Sequence, residues 1–122
     1  MNVKKLKEAV ETLKNDLGDG LLATGISGLD GQAIAGYNVH PKACVLFRSI
    51  TDILNKSLKE SGFPELGKYY ILDLVDGHIA VVIPLGDFQW LIFIDSKKVQ
   101  LGLLLNIAIP HAIDVFEKAI TS

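Results

Sequence analysis

The segment Phe88–Ile94 constrains the fold more than any other part of the sequence. It is apolar at every position except Gln89, and successive side chains of a β-strand point to opposite faces of the sheet. A strand that is apolar on both faces has to be covered on both sides. We therefore predict that this segment is a central strand with a layer of structure on each face, which makes the domain three layers deep.

Tight-turn signals separate the other strand candidates. Asp30-Gly31 predicts a hairpin with a type I′ turn, which needs positive φ at both central residues. Asp76-Gly77 and Leu85–Asp87 supply two more turns. The predicted strands are Leu21–Leu29, Gln32–Tyr37, Tyr69–Val75, His78–Pro84 and Phe88–Asp95.

Apolar residues that recur every three or four positions predict three helices. The last of them contains Pro110, whose ring would push on the carbonyl of Asn106. We expect a kink or a break at this point, and a strand over Leu101–Ile109 is the alternative. The predicted helices are Val3–Leu17, Pro41–Ser61 and a segment that runs from Val99 to Ile120.

The second helix carries more apolar residues than one buried face requires. On a helical wheel one wide arc is apolar and is expected to face the sheet. Cys44 and Val45 lie off this arc, so the first two turns are apolar nearly all round. A helix of this kind is covered on two sides, by its own sheet and by a partner. The residues of the arc are Ala43, Leu46, Phe47, Ile50, Ile53, Leu54 and Leu58.

The whole composition also favours self-association. The 122 residues have the length of one domain, and no linker-like stretch divides them. Apolar residues make up 49% of the chain, whereas a chain this short buries only about two-thirds of its unfolded surface.

Asp73 interrupts the apolar strand Tyr69–Val75, a common device at a sheet edge. An edge strand can pair with another chain.

Charge and hydropathy argue against several classes of partner. The net charge of -2 supplies no basic field for nucleic acid. The longest apolar stretch, Val99–Ile109, is well short of the roughly 20 residues of a membrane span. The N-terminus lacks the apolar core of a signal peptide. Cys44 is the single cysteine, which fits a reducing compartment, so we expect a cytoplasmic protein.

Two phrases of the sequence resemble the roadblock/dynein light chain family, whose members have a profilin-like adaptor domain. The first is Gly25–Ala35, close to the family's pattern of a strand, an Asp/Gly turn and a short second strand. The second is Val82–Ile94 with its Gly-Asp turn, followed by Leu101-Gly102-Leu103 at the start of the last helix. The similarity covers almost the whole chain.

The resemblance implies an α+β fold over residues 1–122. Its three-layer sandwich has the element order α-β-β-α-β-β-β-α and a five-stranded antiparallel sheet. The second helix lies on one face, and the first and last helices lie on the other. Family members pair through the second helix and the edge strand after it, and commonly serve as adaptors or regulators of Ras-like small GTPases.

These implications give a set of expected site residues. We expect a homodimer and a Ras-like GTPase as partners, with no cofactor and no metal. The expected partner-binding residues are Arg48, Asp52 and Asn55, on the polar side of the second helix. The expected dimer interface comprises Cys44, Val45, Phe47, Thr51, Tyr69, Ile71 and Asp73.

No constellation in the sequence predicts an enzyme. Cys44 lacks the surroundings of a catalytic nucleophile, and His40, His78 and His111 have no neighbour at metal-ligand spacing. The glycine triplet spacing of Gly25–Gly31 lies in a hairpin, where it does not indicate a nucleotide site. We expect a protein without catalytic residues.

Two alternatives stay open at this point. Arg48, the single arginine, either lies on a solvated helix face or serves as an arginine finger for a GTPase. The domain could also be a profilin-like or PAS-like sensor of small molecules. A ligand pocket needs a few convergent polar groups, and only Thr24, Ser27 and Gln89 offer themselves in the predicted core.

Overall fold

The computed structural model describes residues 1–122 and has the predicted order of elements. The sheet is antiparallel throughout. Short 3-10 turns occupy Gly18–Gly20 and Val75–Gly77. The elements are α1 (Val3–Leu17), β1 (Leu21–Ser27), β2 (Ala33–Tyr37), α2 (Pro41–Glu60), β3 (Tyr70–Leu74), β4 (His78–Leu85), β5 (Phe88–Asp95) and α3, which comprises Leu101–Leu103, Leu104–Ala108 and Ile109–Thr121.

The strand order β2-β1-β5-β4-β3 places β5 at the centre of the sheet. The prediction of a central strand covered on both faces is confirmed. Trp90, Ile92 and Ile94 point into one core, while Leu91 and Phe93 point to the other face. The chain therefore has the three layers that this strand requires.

The two faces of the sheet are covered very unequally. On one face α1 and α3 pack over a core of 20 buried residues. On the other face α2 alone covers a core of 4 buried residues. The helix α2 is therefore held by few intramolecular contacts compared with its 20-residue length, and much of its surface faces outward.

Local signals at the ends of α1 agree with the sequence. The Asn2 side chain accepts a hydrogen bond from the backbone N–H of Lys5 at 3.1 Å, which caps the helix start. Gly18 ends the helix with a φ of 56°, a conformation that costs glycine little. The chain then turns directly into β1.

The turn at Asp30-Gly31 differs from the prediction. Only Gly31 has a positive φ there, of 78°, so the predicted type I′ turn is wrong. The Asp30 carboxylate instead accepts a hydrogen bond from the Gln32 backbone N–H at 3.0 Å, and the loop is longer than two residues. Positive φ at two successive residues occurs at Asp76 and Gly77, between β3 and β4.

Pro110 neither breaks α3 nor places a strand there. The helix widens into a π-turn over Leu104–Ala108, in which the Ile109 backbone N–H bonds to the Leu104 carbonyl five residues back. Pro110 has no N–H and stands in the first turn of the α-helix that follows. The π-turn absorbs the missing hydrogen bond, so the helix continues to Thr121. Of the predicted kink or break, the break is wrong and the distortion takes the form of this π-turn; the strand alternative is also wrong. None of the helices combines the length and the hydropathy that a membrane-spanning helix requires.

Candidate functional site

The side of α2 that faces the sheet is not the side that the helical wheel predicted. Cys44 and Thr51 are buried against the sheet together with Phe47, whereas Leu46 and Ile53 of the predicted inner arc point outward. Gly25 explains part of this rotation. A Cβ there would lie 3.0 Å from the Cys44 sulfur, so the missing side chain makes room for it.

Three of the expected dimer-interface residues therefore lie inside the protomer. Cys44, Phe47 and Thr51 are buried, so the expectation that they present a surface is wrong. Burial also raises the pKa of the Cys44 thiol above its usual value. A buried thiol held in its protonated form is a poor nucleophile.

The exposed apolar residues of α2 form what we call the outer α2 surface: Val45, Leu46 and Ile53. Their side chains are 51%, 55% and 62% exposed, respectively. Leu46 and Ile53 stand two helical turns apart and share one side of the helix. Of the expected interface residues on this helix, Val45 alone is on the surface.

The strand β3 is an edge strand, as predicted, and pairs with β4 only. Tyr69 and Asp73 are exposed. Ile71 is half-buried and packs against the larger core. The outward side of β3 has no neighbouring strand, so its backbone groups are free to pair with another chain.

A buried chain of hydrogen bonds joins α2 to the sheet. The Thr51 hydroxyl lies 2.6 Å from the Gln89 amide oxygen and 2.7 Å from the Tyr70 hydroxyl. Because the Gln89 oxygen can only accept, Thr51 donates to it and Tyr70 donates to Thr51. The sequence prediction did not include this arrangement, although the polar interruption at Gln89 was a signal for it.

The same contacts perturb Tyr70. Burial raises the pKa of the Tyr70 hydroxyl above its ordinary value of 10.0, although the Thr51 hydrogen bond and the Arg48 charge both act to lower it. The folded protein therefore holds this proton more tightly than the unfolded chain does. Stability that is present below about pH 10 is then lost as pH rises through the folded pKa.

We expect Tyr70→Phe to weaken this alkaline loss of stability. Urea unfolding from about pH 9 to about pH 11 should show a smaller decrease for the variant than for the wild type. At neutral pH the lost hydrogen bond should cost about 1 kcal/mol. The control is Tyr69→Phe, an exposed tyrosine one residue away. If both variants keep the wild-type alkaline slope, Tyr70 is not the titrating group.

The Arg48 side chain packs against the protein and does not lie on a solvated face. Its side chain is 12% exposed, and one terminal nitrogen, Nη2, donates to the Asp52 carboxylate at 2.9 Å. The other two nitrogens, Nε and Nη1, are buried without a partner. The solvated-face expectation for Arg48 is therefore wrong, and the guanidinium does not project as a finger.

The remaining two expected partner-binding residues differ in role. Asp52 is exposed and is available to a partner. The Asn55 side chain accepts a hydrogen bond from the Leu66 backbone N–H at 2.9 Å, so it holds the connection between α2 and β3. The structure thus leaves one of the three predicted polar residues on an accessible surface.

The three histidines stand apart from one another in role. His111 contacts the Asp16 carboxylate at 2.7 Å, and His78 contacts the Val75 carbonyl at 3.2 Å. No group of three or more His, Cys, Asp or Glu side chains is arranged to hold a metal ion. His40 and His78 also line a small depression of about 260 Å³, together with Leu22, Ala23, Ala43, Phe93 and Ile94.

Comparison with solved structures identifies the architecture. MglB of Myxococcus xanthus superposes with a TM-score of 0.82 over 98% of this chain and 90% of its own, at 16% identity. A Roadblock/LC7 domain from Streptomyces avermitilis gives a TM-score of 0.67 over 95% of this chain and 98% of its own, at 8% identity. The chain has the roadblock/LC7 fold.

A third structure adds an example of assembly. An MglB with a tetrameric arrangement has a TM-score of 0.70 over 95% of this chain and 90% of its own, at 12% identity. No protein-family model and no curated protein matches the sequence. At these identities the likeness establishes the roadblock fold, which confirms the resemblance seen in the sequence.

Proposed function

We propose that this protein is a homodimeric, non-enzymatic adaptor that regulates a Ras-like small GTPase. The observation that carries the proposal is the outer α2 surface, on which Val45, Leu46 and Ile53 are each more than half exposed. Exposed apolar side chains clustered on one helix indicate an interaction site. The helix also covers the thinner side of the sheet, where the core has only 4 buried residues.

The proposed dimer uses α2 and the edge strand β3 together. The helix α2 lies on the sheet face that α1 and α3 leave uncovered, and Tyr70 and Leu72 of β3 pack on that face as well. Pairing of two β3 strands would satisfy their free backbone groups, and packing of two α2 helices would bury the outer α2 surface. Each square ångström of apolar surface removed from water contributes roughly 25 cal/mol. This is the mode of pairing that the roadblock resemblance implies.

A GTPase partner is what the roadblock resemblance of the sequence implies, and the roadblock/LC7 fold of the chain supports this part of the proposal. The protein is proposed to act by binding and holding its partner, since no catalytic cluster accompanies the dimer surface. The position of Arg48 supports this mode of action, because its guanidinium is held against the protein by Asp52 and does not project toward a partner. Asp52 is the polar residue of α2 that we propose contacts the GTPase.

The test uses candidate Ras-like GTPases loaded with GDP or with a GTP analogue. We expect the wild-type protein to bind one nucleotide state more tightly and Arg48→Met to bind and regulate within about twofold of the wild type. Removal of a true arginine finger lowers the hydrolysis rate by about 10³ to 10⁵. Methionine keeps the apolar stem of the side chain in place, so the fold should be retained.

Three results count against this proposal. If Arg48→Met lowered stimulated GTP hydrolysis as much as removal of an arginine finger does, Arg48 would have to leave its position beside Asp52 and act in catalysis. Failure of every GTPase to bind would contradict the regulatory role itself. The alternative function, a small-molecule sensor, rests on the depression beside His40 and His78. A metabolite that raises the melting temperature of a monomer would favour it.

A further inference from the structure

The strand β2 forms the second edge of the sheet. It pairs with β1 only, and its sequence, Ala33–Tyr37, contains no charged residue and no proline. Proteins normally protect an edge strand with charges, prolines or a covering segment, and the opposite edge, β3, has Asp73. The outward N–H and C=O groups of β2 are therefore open to an added strand.

A groove of about 780 Å³ runs along this edge, between β2 and α1. The part of α1 that lines it, Lys4 to Asn15, is about 17 Å long at 1.5 Å per residue. The five residues of β2 have nearly the same length, about 17 Å at 3.3 Å per residue. The groove therefore has the length of one extended segment of about five residues. The residues that line it are Lys4, Lys7, Glu8, Val10, Glu11, Thr12, Asn15, Ile34, Ala35 and Gly36.

A contact between Lys14 and Tyr37 shows how α1 is oriented along β2. The Lys14 Nζ lies 4.5 Å from the centre of the Tyr37 ring, and Tyr37 is the last residue of β2. The C-terminal end of α1 therefore lies at the C-terminal end of β2. Because the two elements run in the same general direction, Lys4 lies toward the start of β2.

The charges on the α1 wall change sign along the groove. Lys4 and Lys7 lie at the end beside the start of β2 and form no ion pair within the protein, and Glu8 is also unpaired. Glu11 follows one turn after Lys7 and contacts Lys14 at 3.6 Å. The wall is therefore positive at the start of β2 and negative farther along, so its ligand should have the opposite polarity.

We propose that β2 binds an extended peptide segment of a partner protein as an added antiparallel strand. The sheet is antiparallel throughout, and antiparallel pairs are slightly more stable per residue than parallel ones. In this direction the C-terminal part of the peptide lies beside Lys4 and Lys7, and its N-terminal part lies beside Glu11. Alternate residues of a strand share a face, so three peptide side chains face α1. They are a basic residue, an apolar residue over Ala35 and an acidic residue, in that order.

The peptide site does not rest on the proposed function. It lies at the edge opposite β3 and contains no residue of α2. A second copy of the chain does not fit the same edge, because two paired β2 strands would bring their α1 helices closer than the 8–10 Å at which helices pack. A peptide has no helix to place there.

The experiment follows the backbone amide signals of the full chain by NMR during addition of the peptide acetyl-Lys-Thr-Val-Thr-Glu-amide. Because small interfaces are weak, the peptide is added up to about 5 mM. We expect shifts at Ala33–Tyr37 and along the groove side of α1. The matched peptide, acetyl-Glu-Thr-Val-Thr-Lys-amide, has the same composition and net charge, and should bind about tenfold more weakly because its charges meet like charges.

A charge-reversed protein gives the second half of this comparison. The variant Lys4→Glu/Lys7→Glu/Glu8→Lys/Glu11→Lys keeps the wild-type net charge and should reverse the preference between the two peptides. All four side chains are exposed, so the fold should be retained. If both proteins prefer the same peptide, the charges on α1 do not select the ligand and the proposal fails.

A methylated peptide tests the strand pairing itself. It keeps every side chain of the first peptide and carries methyl groups on the backbone nitrogens of valine and of the threonine after it. One of two successive N–H groups of a strand points at the neighbouring strand, so the methylated peptide should no longer bind. Binding equal to that of the parent peptide, or no shift in β2 at the highest concentration, would overturn the proposal.

Two further measurements separate other occupants of the groove. Shifts in β2 that acetyl-glutamate amide produces as well as the peptide would indicate a small-anion site. Shifts in β2 that follow protein concentration without any peptide would indicate a second copy. Either result contradicts the peptide site. If the peptide binds as expected and no GTPase does, this inference stands and the proposed function is wrong.

Discussion

Leu46→Glu combined with Ile53→Glu is expected to abolish the α2-mediated dimer while leaving the fold intact. Both side chains are more than half exposed in the protomer, at 55% and 62%. Surface substitutions usually change the stability of a folded chain by less than about 0.5 kcal/mol. In the proposed dimer the same positions would be buried, so four carboxylates would be taken out of water in one contact.

The size of this effect follows from the burial of like charges. Removing an ionised group from water without a partner costs several kcal/mol. A loss of about 4 kcal/mol raises the Kd of the dimer by about 1,000-fold. Because the two copies are related by symmetry, each substitution acts twice. At concentrations where the wild-type α2 contact is saturated, the variant should no longer form it.

The control keeps the charge change and moves it away from α2. Lys97→Gln with Lys98→Gln also lowers the net charge by two, at exposed positions after β5. We expect this control to retain the wild-type mass in light scattering. Both variants should give wild-type circular dichroism. An unchanged dimer in the Leu46/Ile53 variant, with its fold intact, would place the dimer interface elsewhere.

The sequence predicted the sheet well because its strands carry strong local signals. The bounds of β5 were predicted as they are observed, Phe88–Asp95, since an apolar run between a Gly-Asp turn and a charged loop leaves little freedom. The central position of β5 followed from its two apolar faces. The same reasoning identified β3 as an edge from the single charge at Asp73, and the structure confirms its position.

The orientation of α2 could not be predicted from its own residues. Its periodicity shows an amphipathic helix, but two features of other elements decide which side is buried. Gly25 on β1 leaves space for the Cys44 sulfur, and Gln89 on β5 accepts a hydrogen bond from Thr51. These partners are distant in sequence. A wheel that counts only apolar residues therefore turned Leu46 inward and Thr51 outward.

The prediction for the environment of Arg48 was wrong for the same reason. The wheel placed it correctly beside Asp52 on the flank of the helix, and it assumed that a polar flank is a solvated one. The structure shows a guanidinium with two buried nitrogens that lack partners.

The π-turn before Pro110 is a further feature that could not be predicted, because helices accommodate proline in several ways that the sequence does not distinguish.

Trp90→Ala is expected to be among the most destabilising single substitutions in this chain. The side chain is 0% exposed at the centre of the larger core. Its ring meets Phe116 edge to face, with centroids 5.5 Å apart, and thereby ties β5 to α3. Truncation of a buried tryptophan costs about 3–5 kcal/mol, a large part of the roughly 5–15 kcal/mol that stabilises a typical domain.

A hydrogen-bond relay adds to this loss. The Trp90 indole Nε1 donates to the Thr24 hydroxyl at 2.7 Å, and Thr24 donates to the Leu91 carbonyl at 2.7 Å. Trp90→Phe keeps an aromatic ring against Phe116 but removes the indole N–H donor and part of the buried ring volume, so it should cost about 2 kcal/mol. Phe93→Ala, at a half-buried position on the other face of β5, should lie between these two variants.

Urea unfolding measures the free energy of unfolding of each of the three variants, with one common dependence of that free energy on urea concentration. The expected order of stability is Trp90→Phe, then Phe93→Ala, then Trp90→Ala. This order follows because the α1/α3 face holds 20 buried residues and the α2 face holds 4, so a cavity in the first core removes more contacts. If Phe93→Ala is the most damaging variant, the α2 face contributes more to stability than its burial indicates. A dimer that buries α2 would be the physical reason, and adding Leu46→Glu/Ile53→Glu should then reduce the difference.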